Sequence, residues 1–247
     1  MAKMNIDPDG MARQANQISS IASEISTCVN NAFTGIKALS NNWTGKAYND
    51  LLTEVNKTVQ SLNNLFLKTR DTIPAEIYGK AAALAHANHD ELSVSRKVGS
   101  VVVIKEIVPF KKGKRYTFDA DAIKSTATSI ANSLKNAISK SDDAIKQCSR
   151  LKEDWDSVSG DENIYHLIAA FRKVKSNMET IRLNISDAIV ETSAAMVIQD
   201  TTTKVVEGAK DVAGAVTGAI GEAFDSINSA FTDISRTAQA DNWADHL

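Results

Sequence analysis

The chain contains its own first third twice. Residues 6–43 recur at an offset of 112: Ile6 matches Phe118, Asp7 matches Asp119, Asp9 matches Asp121, Ala15 matches Ala127, Ile18 matches Ile130, Phe33 matches Ile145, Leu39 matches Leu151 and Trp43 matches Trp155. In the first copy the apolar or small residues fall at Ile18, Ile21, Ile25, Val29, Ala32, Ile36, Leu39 and Trp43. In the second they fall at Ile123, Ala127, Ile130, Leu134, Ala137, Ile145, Cys148, Leu151 and Trp155. Steps of three and four, with one double step from Ala137 to Ile145 in the second copy, put such residues on one face of an α-helix, here roughly 50 Å long.

Each stripe ends in a break. The first reads Asn41-Asn42-Trp43-Thr44-Gly45, and the second Trp155-Asp156-Ser157-Val158-Ser159-Gly160. A new stripe then begins at Tyr48 and runs through Leu51, Leu52, Val55, Val59, Leu62, Phe66 and Ile73 to Pro74. Its copy lies at an offset of 116, with Leu51 on Leu167, Leu52 on Ile168, Val55 on Phe171, Leu62 on Met178 and Leu65 on Ile181, so the second turn is four residues longer. Two stripes joined by a short Gly-containing turn describe an antiparallel helical hairpin. A hairpin repeated in one chain has two apolar faces that neither copy can bury alone, and packing one on the other satisfies both. The expected fold is therefore all-α: two long antiparallel hairpins forming a four-helix bundle, by which the chain is expected to be a monomer.

The divisions follow from this pattern: a first hairpin at 1–74, a linker at 75–118, a second hairpin at 119–199 and a Gly/Ala-rich tail at 200–247. Asp7 and Asp119 each stand where an N-cap belongs, and Pro8 follows Asp7 at the first helical position, where its missing N–H costs nothing. Pro74 predicts a bend, with residues 75–92 helical beyond it. Val101-Val102-Val103-Ile104 and Ile107-Val108 are β-branched, so 98–118 reads as a short β-hairpin or an extended arm. In the tail, Val205, Ala209, Val212, Val216, Ile220, Phe224, Ile227, Phe231 and Ile234 are again periodic, predicting an amphipathic C-terminal helix with a frayed end over 236–247. Gly208, Gly214, Gly218 and Gly221 weaken that helix by nearly 1 kcal/mol each relative to Ala, so packing must support it.

Composition excludes several classes. With 28 basic against 30 acidic residues the net charge is −2, and no global field draws the chain to nucleic acid or membrane. No apolar run is long enough for a stable membrane span, and no cleaved signal is visible at the N-terminus. The sequence holds no nucleophile elbow, phosphate loop, paired-Cys motif, His-Glu-x-x-His or dinucleotide fingerprint, so no enzyme activity, catalytic residue, metal or cofactor is expected. His86 and His89, with Asp90 and Glu91, have helical spacing but no third strong ligand and read as solvated helix-end residues. Cys28 and Cys148 are too few for a disulfide framework and read as buried thiols. Lys111, Lys112, Lys114 and Arg115, between Phe110 and Tyr116, suit a charged hairpin tip or a contact with an acidic partner or anionic lipid.

Trp43-Thr44-Gly45 between two long helices, about 40 residues into an N-terminal hairpin, resembles the Trp-x-Gly turn of the WXG family of small type VII secretion proteins. Trp155 and Gly160 mark a degenerate second copy, so the chain looks like two WXG-type (ESX-like) hairpins in tandem, related to the LXG class. The resemblance implies a bacterial, non-enzymatic protein, Gram-positive in origin. It would be secreted without a signal peptide, or cytoplasmic before export, as substrate or as escort for an effector. Its partners would be proteins: a secretion ATPase, an effector or another WXG-type chain. The partner or secretion-motif residues would be Trp43, Gly45, Trp155 and Gly160. Two departures stand out: Gly160 is displaced from Trp-x-Gly spacing, and the Tyr-x-x-x-Asp/Glu export signal occurs nowhere in the chain. The alternative is a membrane-active α-helical toxin or pore-forming component, using the apolar arm or the tail. The indole of Trp43 could cap the bundle, belong to a recognition surface, or both.

Overall fold

The structure is a computed structural model, and it describes residues 6–109 and 117–199. Asp7 accepts the Gly10 N–H at 3.0 Å and Pro8 stands in the first turn, opening helix α1 (Pro8–Ala38), which a short 3₁₀ turn (Leu39–Asn41) closes. After the Trp43 turn the chain returns through α2 (Lys46–Asn56), α3 (Val59–Leu67), a π-helical turn (Lys68–Thr72) and α4 (Ile73–Ala87). Asp119 repeats the capping of Asp7, accepting the Ala122 N–H at 3.1 Å, and opens α5 (Ala120–Asp154). A second turn leads into α6 (Val158–Gln199).

Pro74 lies in the first turn of α4, directly after the π-helical turn. That position needs no proline N–H, so α4 runs on to Ala87 and buries Ile77, Ala81 and Ala85. The stripes read from the sequence are the buried faces. Ile18, Ile25, Val29, Ala32, Ile36 and Leu39 of the first copy are fully buried, as are Ile123, Ala137, Cys148 and Leu151 of the second.

The first and fifth helices lie side by side and antiparallel. Ile6 bridges Trp155, Gln14 and Gln17 both accept from Gln147, Glu24 pairs with Lys140 at 2.6 Å, and Trp43 bridges Phe118. The return arm packs on α1 through α3, the π-helical turn and above all α4, and α6 packs on α5, α2 and α3. Asn177 donates to the Ser61 hydroxyl at 3.3 Å, and these two positions are equivalents in the repeat. A single apolar core runs through all six helices.

Of the two forms expected over 98–118, a short β-hairpin or an extended arm, residues 98–109 take the extended one, and the described residues contain no strand. The basic cluster Lys111, Lys112, Lys114 and Arg115, Phe110 and Tyr116 lie outside the described residues, as does the amphipathic tail. Residues 93–109 form an extended strap along the first hairpin. Its main chain is held by helix side chains rather than by a second strand. Asn63 binds both the N–H and the C=O of Ile104 at 2.9 Å, and Asn56 does the same for Ile107 at 2.9 Å. Nearer the start of α1, Asn16 accepts from the Lys97 N–H and donates to the Ser95 carbonyl, and Ser19 accepts from Gly99. Ile104 and Ile107 insert into the core, while Val101, Val103 and Val108 remain exposed. An amide side chain offers one donor and one acceptor, the complement of a peptide unit, so β-branched residues can stay extended here without a sheet.

Candidate partner-recognition turns

The two Trp turns exchange partners. Trp43, at the end of α1, bridges Phe118, the residue just before the cap of α5. Trp155, at the end of α5, bridges Ile6, the residue just before the cap of α1. The next hydrogen bonds repeat the exchange: Asp119 donates its N–H to the Asn42 carbonyl at 2.8 Å, and Asp7 donates to the Asp154 carbonyl at 2.9 Å. Each hairpin turn is thereby closed by the N-terminal lead of the other hairpin.

At the first turn the Trp43 indole has no exposed surface. Its ring centroid lies 5.4 Å from that of Tyr48 and 6.1 Å from that of Phe118, the latter pair edge-on. Its Nε1–H has no hydrogen-bond partner. The indole thus fills the end of the core, and only the polar shell of the turn faces outward. Gly45 has φ 133° and ψ −172°, a backbone region that a Cβ disfavours, and it caps α2. Thr44 ties the turn to the second copy, donating its N–H to the Thr117 carbonyl at 2.9 Å and accepting the Thr117 N–H on its hydroxyl at 2.8 Å.

Tyr48, in the first turn of α2, draws the hairpin shut by donating its hydroxyl to the Ile36 carbonyl at 2.8 Å. Burial pushes its pKa from 10 up to about 12. A phenol whose folded pKa is raised holds its proton longer in the fold, so its contribution is whole below pH 10 and lost between pH 10 and 12. Two units correspond to a loss of up to about 2–3 kcal/mol across that window. Tyr48→Phe is expected to cost about 1 kcal/mol at neutral pH through the lost hydrogen bond. It should also flatten the alkaline fall, which urea unfolding at a series of pH values would read. A variant as alkali-sensitive as the parent would remove Tyr48 from that role.

The second turn reaches a similar end by different means. Trp155 is 2% exposed and closes α5. Gly160 lies in the first turn of α6, and a Cβ built there would sit 2.5 Å from the Trp155 carbonyl and 3.0 Å from its ring. Its place in the sequence therefore answers to close packing against Trp155, whereas Gly45 answers to backbone conformation. Lys152 and Asp161 pair across the turn at 2.5 Å.

The tryptophans and glycines singled out in the sequence stand at these two turns; the sequence placed Tyr48 and Phe118 only in the stripe and the repeat and did not single out Thr117, because their part in the turn depends on which chain end lies against it. Cys148 is fully buried, with its thiol pushed up to about 12 by burial, and Cys28 is half-buried with its pKa also raised by burial. The described residues include no group of three or more potential metal ligands and no helix long and apolar enough to cross a membrane.

Residues 3–75 match a family model, WXG100, described as proteins of 100 residues with WXG. The matched segment holds α1, the Trp43 turn and the return arm to the start of α4; the second copy lies outside it. Neither a curated protein nor a solved structure gave a match. The WXG-like segment thus coincides with the hairpin whose turn carries Trp43 and Gly45.

Proposed function

We propose that this chain is a type VII secretion-associated protein in which two WXG-like hairpins pair within one polypeptide as a four-helix bundle. It works without catalysis, as an exported substrate or as an escort for an effector. Its partners are proteins: the secretion ATPase, the effector or another WXG-type chain. The proposed secretion-motif residues are Trp43, Gly45, Trp155 and Gly160, and Gram-positive bacteria are the proposed source.

The exchange of partners at the two turns carries this reading. In a pair of separate hairpins, the lead of each would close the turn of the other across a subunit interface. Here Ile6 meets Trp155 and Phe118 meets Trp43 inside one chain. Because Trp43 is enclosed, the tryptophans hold the shape of the ends, and recognition falls to the outer atoms of each turn. The unmatched second copy, with its longer turn, makes the two ends different surfaces.

The decisive experiment compares culture medium from a producing strain with that from the same strain lacking the secretion ATPase. The protein should appear in the medium only when the ATPase is present. Equal release from both strains, or none from either, would overturn the proposal. Sedimentation should find a monomer; an obligate dimer would defeat the intramolecular pairing. Dye release from anionic vesicles at neutral pH would favour the membrane-active alternative instead.

A further inference from the structure

Five side chains of the first hairpin, Asn16, Ser19, Ser23, Asn56 and Asn63, grip the strap by its main chain. Asn56 and Asn63 each bind both the N–H and the C=O of one strap residue, Ile107 and Ile104 respectively, at 2.9 Å. Seven residues along a helical arm advance about 10 Å, and so do three residues of extended chain, so the two amides match the two isoleucines in register. Ser19 accepts the Gly99 N–H at 2.9 Å, and Ser23 donates to the Ser100 carbonyl at 2.9 Å. A Cβ on Gly99 would lie 2.6 Å from the Ser19 carbonyl oxygen, so the chain passes too close there for a larger residue. Ile104 and Ile107 enter the core, whereas Val101, Val103 and Val108 face outward. At the positions equivalent to these five the repeat holds Thr128, Ala131, Lys135, Arg172 and Glu179, so the second hairpin packs without such a ladder.

We propose that this ladder is a peptide-binding groove, filled by the strap in the free protein and open to a partner protein's extended segment. That segment carries a glycine followed by aliphatic residues five and eight positions on, as Gly99, Ile104 and Ile107 stand in the strap. Two features select an extended peptide. The amide side chains pair with peptide N–H and C=O groups, which a helix has already used within itself. The two buried positions are three apart, and Lys105 and Glu106 between them face solvent. Exchange is open to such a segment because, among the described residues, no backbone-to-backbone hydrogen bond holds 93–109. The ion pair near the start of the strap, Arg96 with Asp71, lies on the surface. A tethered strap competes at an effective concentration of about millimolar, so a partner displaces it by presenting its segment at a similar local concentration.

This inference rests on the strap and not on the secretion reading. Fluorescence anisotropy with a labelled synthetic peptide of residues 98–109 tests it on the full chain. Ile104→Ser/Ile107→Ser frees the groove, and that variant should bind one peptide per chain at least about tenfold more tightly than the parent. Adding Asn56→Ala/Asn63→Ala should weaken the binding at least about tenfold, since each amide makes two hydrogen bonds to the strap. A peptide with Val101→Ser/Val103→Ser/Val108→Ser should bind within about threefold of the original, because those side chains stay in solvent. A peptide with Gly99→Ala should bind at least about tenfold more weakly, for want of room beside Ser19. Hydrogen exchange around Ile25 and Ala137 should match the parent in every variant and report an intact core. In the parent itself, excess peptide should speed exchange of the Ile104 and Ile107 amides, a readout that needs no variant. No binding by the freed chain, binding that ignores the two asparagines, or strap amides that excess peptide leaves untouched would each overturn the proposal. Binding that brings two chains together would assign the groove to exchange of straps between copies and overturn it equally.

Discussion

Replacing Trp43 with Ala is expected to lower the unfolding free energy by about 3–5 kcal/mol, the cost of emptying a buried aromatic site. For a chain of this size that corresponds to a fall of roughly 6–20 °C in Tm. The indole is completely enclosed and meets Tyr48 from its own hairpin and Phe118 from the other, so its removal opens the end of the core at the seam between the copies. Backbone closure alone cannot fill that space, because the bridge to Phe118 and the Asp119–Asn42 bond already hold the main chains in place. Trp43→Phe separates volume from chemistry. The buried Nε1–H has no partner, and an orphaned buried donor costs about 1–3 kcal/mol, so losing it offsets part of the lost packing. Urea unfolding should rank the parent first, Phe second and Ala clearly last. An Ala variant within 1 kcal/mol of the parent would show that Trp43 is not the plug of this end.

Asp142→Ala is expected to cost about 3–5 kcal/mol at neutral pH, because it strips the carboxylate from a buried ammonium. The side chains of Lys175 and Asp142 are 5% and 14% exposed and hydrogen-bonded across α5 and α6. Burial is the largest influence on Lys175 and pulls its pKa below 10.5, with the hydrogen bond and charge of Asp142 pushing back. In the single variant that opposition disappears, so the lysine pKa falls further. A lysine depressed in the fold binds fewer protons there than when unfolded. Stability then rises as pH increases from its folded pKa toward 10.5, and the variant should recover part of its deficit in alkali. The double replacement Asp142→Leu/Lys175→Met should recover most of the loss, since apolar residues of similar volume replace buried pairs with little penalty. A double variant as unstable as Asp142→Ala would mean that packing at the site, and not the charge, sets the cost.

Most of the helical fold was legible before any coordinates. Helical periodicity is a local property, and the buried faces of α1 and α5 are the stripes from Ile18 to Trp43 and from Ile123 to Trp155. The caps at Asp7 and Asp119 were equally legible, because a carboxylate one residue before a helix has few other uses. The candidate turns were legible as residue types but not as geometry. Gly45 and Gly160 both follow a tryptophan in the sequence, at different spacings, and one supplies a positive φ whereas the other leaves room for Trp155. At 98–109 the sequence left two forms open, a short β-hairpin or an extended arm, and the described residues take the extended one without a partner strand. β-propensity records a fit to a half-buried extended surface, and Asn56 and Asn63, some forty to fifty residues upstream, supply the hydrogen bonds that a neighbouring strand would have given.

What the sequence determined by itself was the repeated unit: two amphipathic hairpins, their caps and the break at each tryptophan, all fixed by interactions spanning three or four residues. Only the tertiary structure decided which surfaces those units satisfy. It set α1 antiparallel to α5, brought Phe118 to Trp43 and Ile6 to Trp155, and laid the linker against the Asn side chains of α1, α2 and α3. The reason is physical: an apolar stripe states that it must be buried, whereas the partner that buries it is chosen by shape and hydrogen-bond complementarity between residues far apart in the chain.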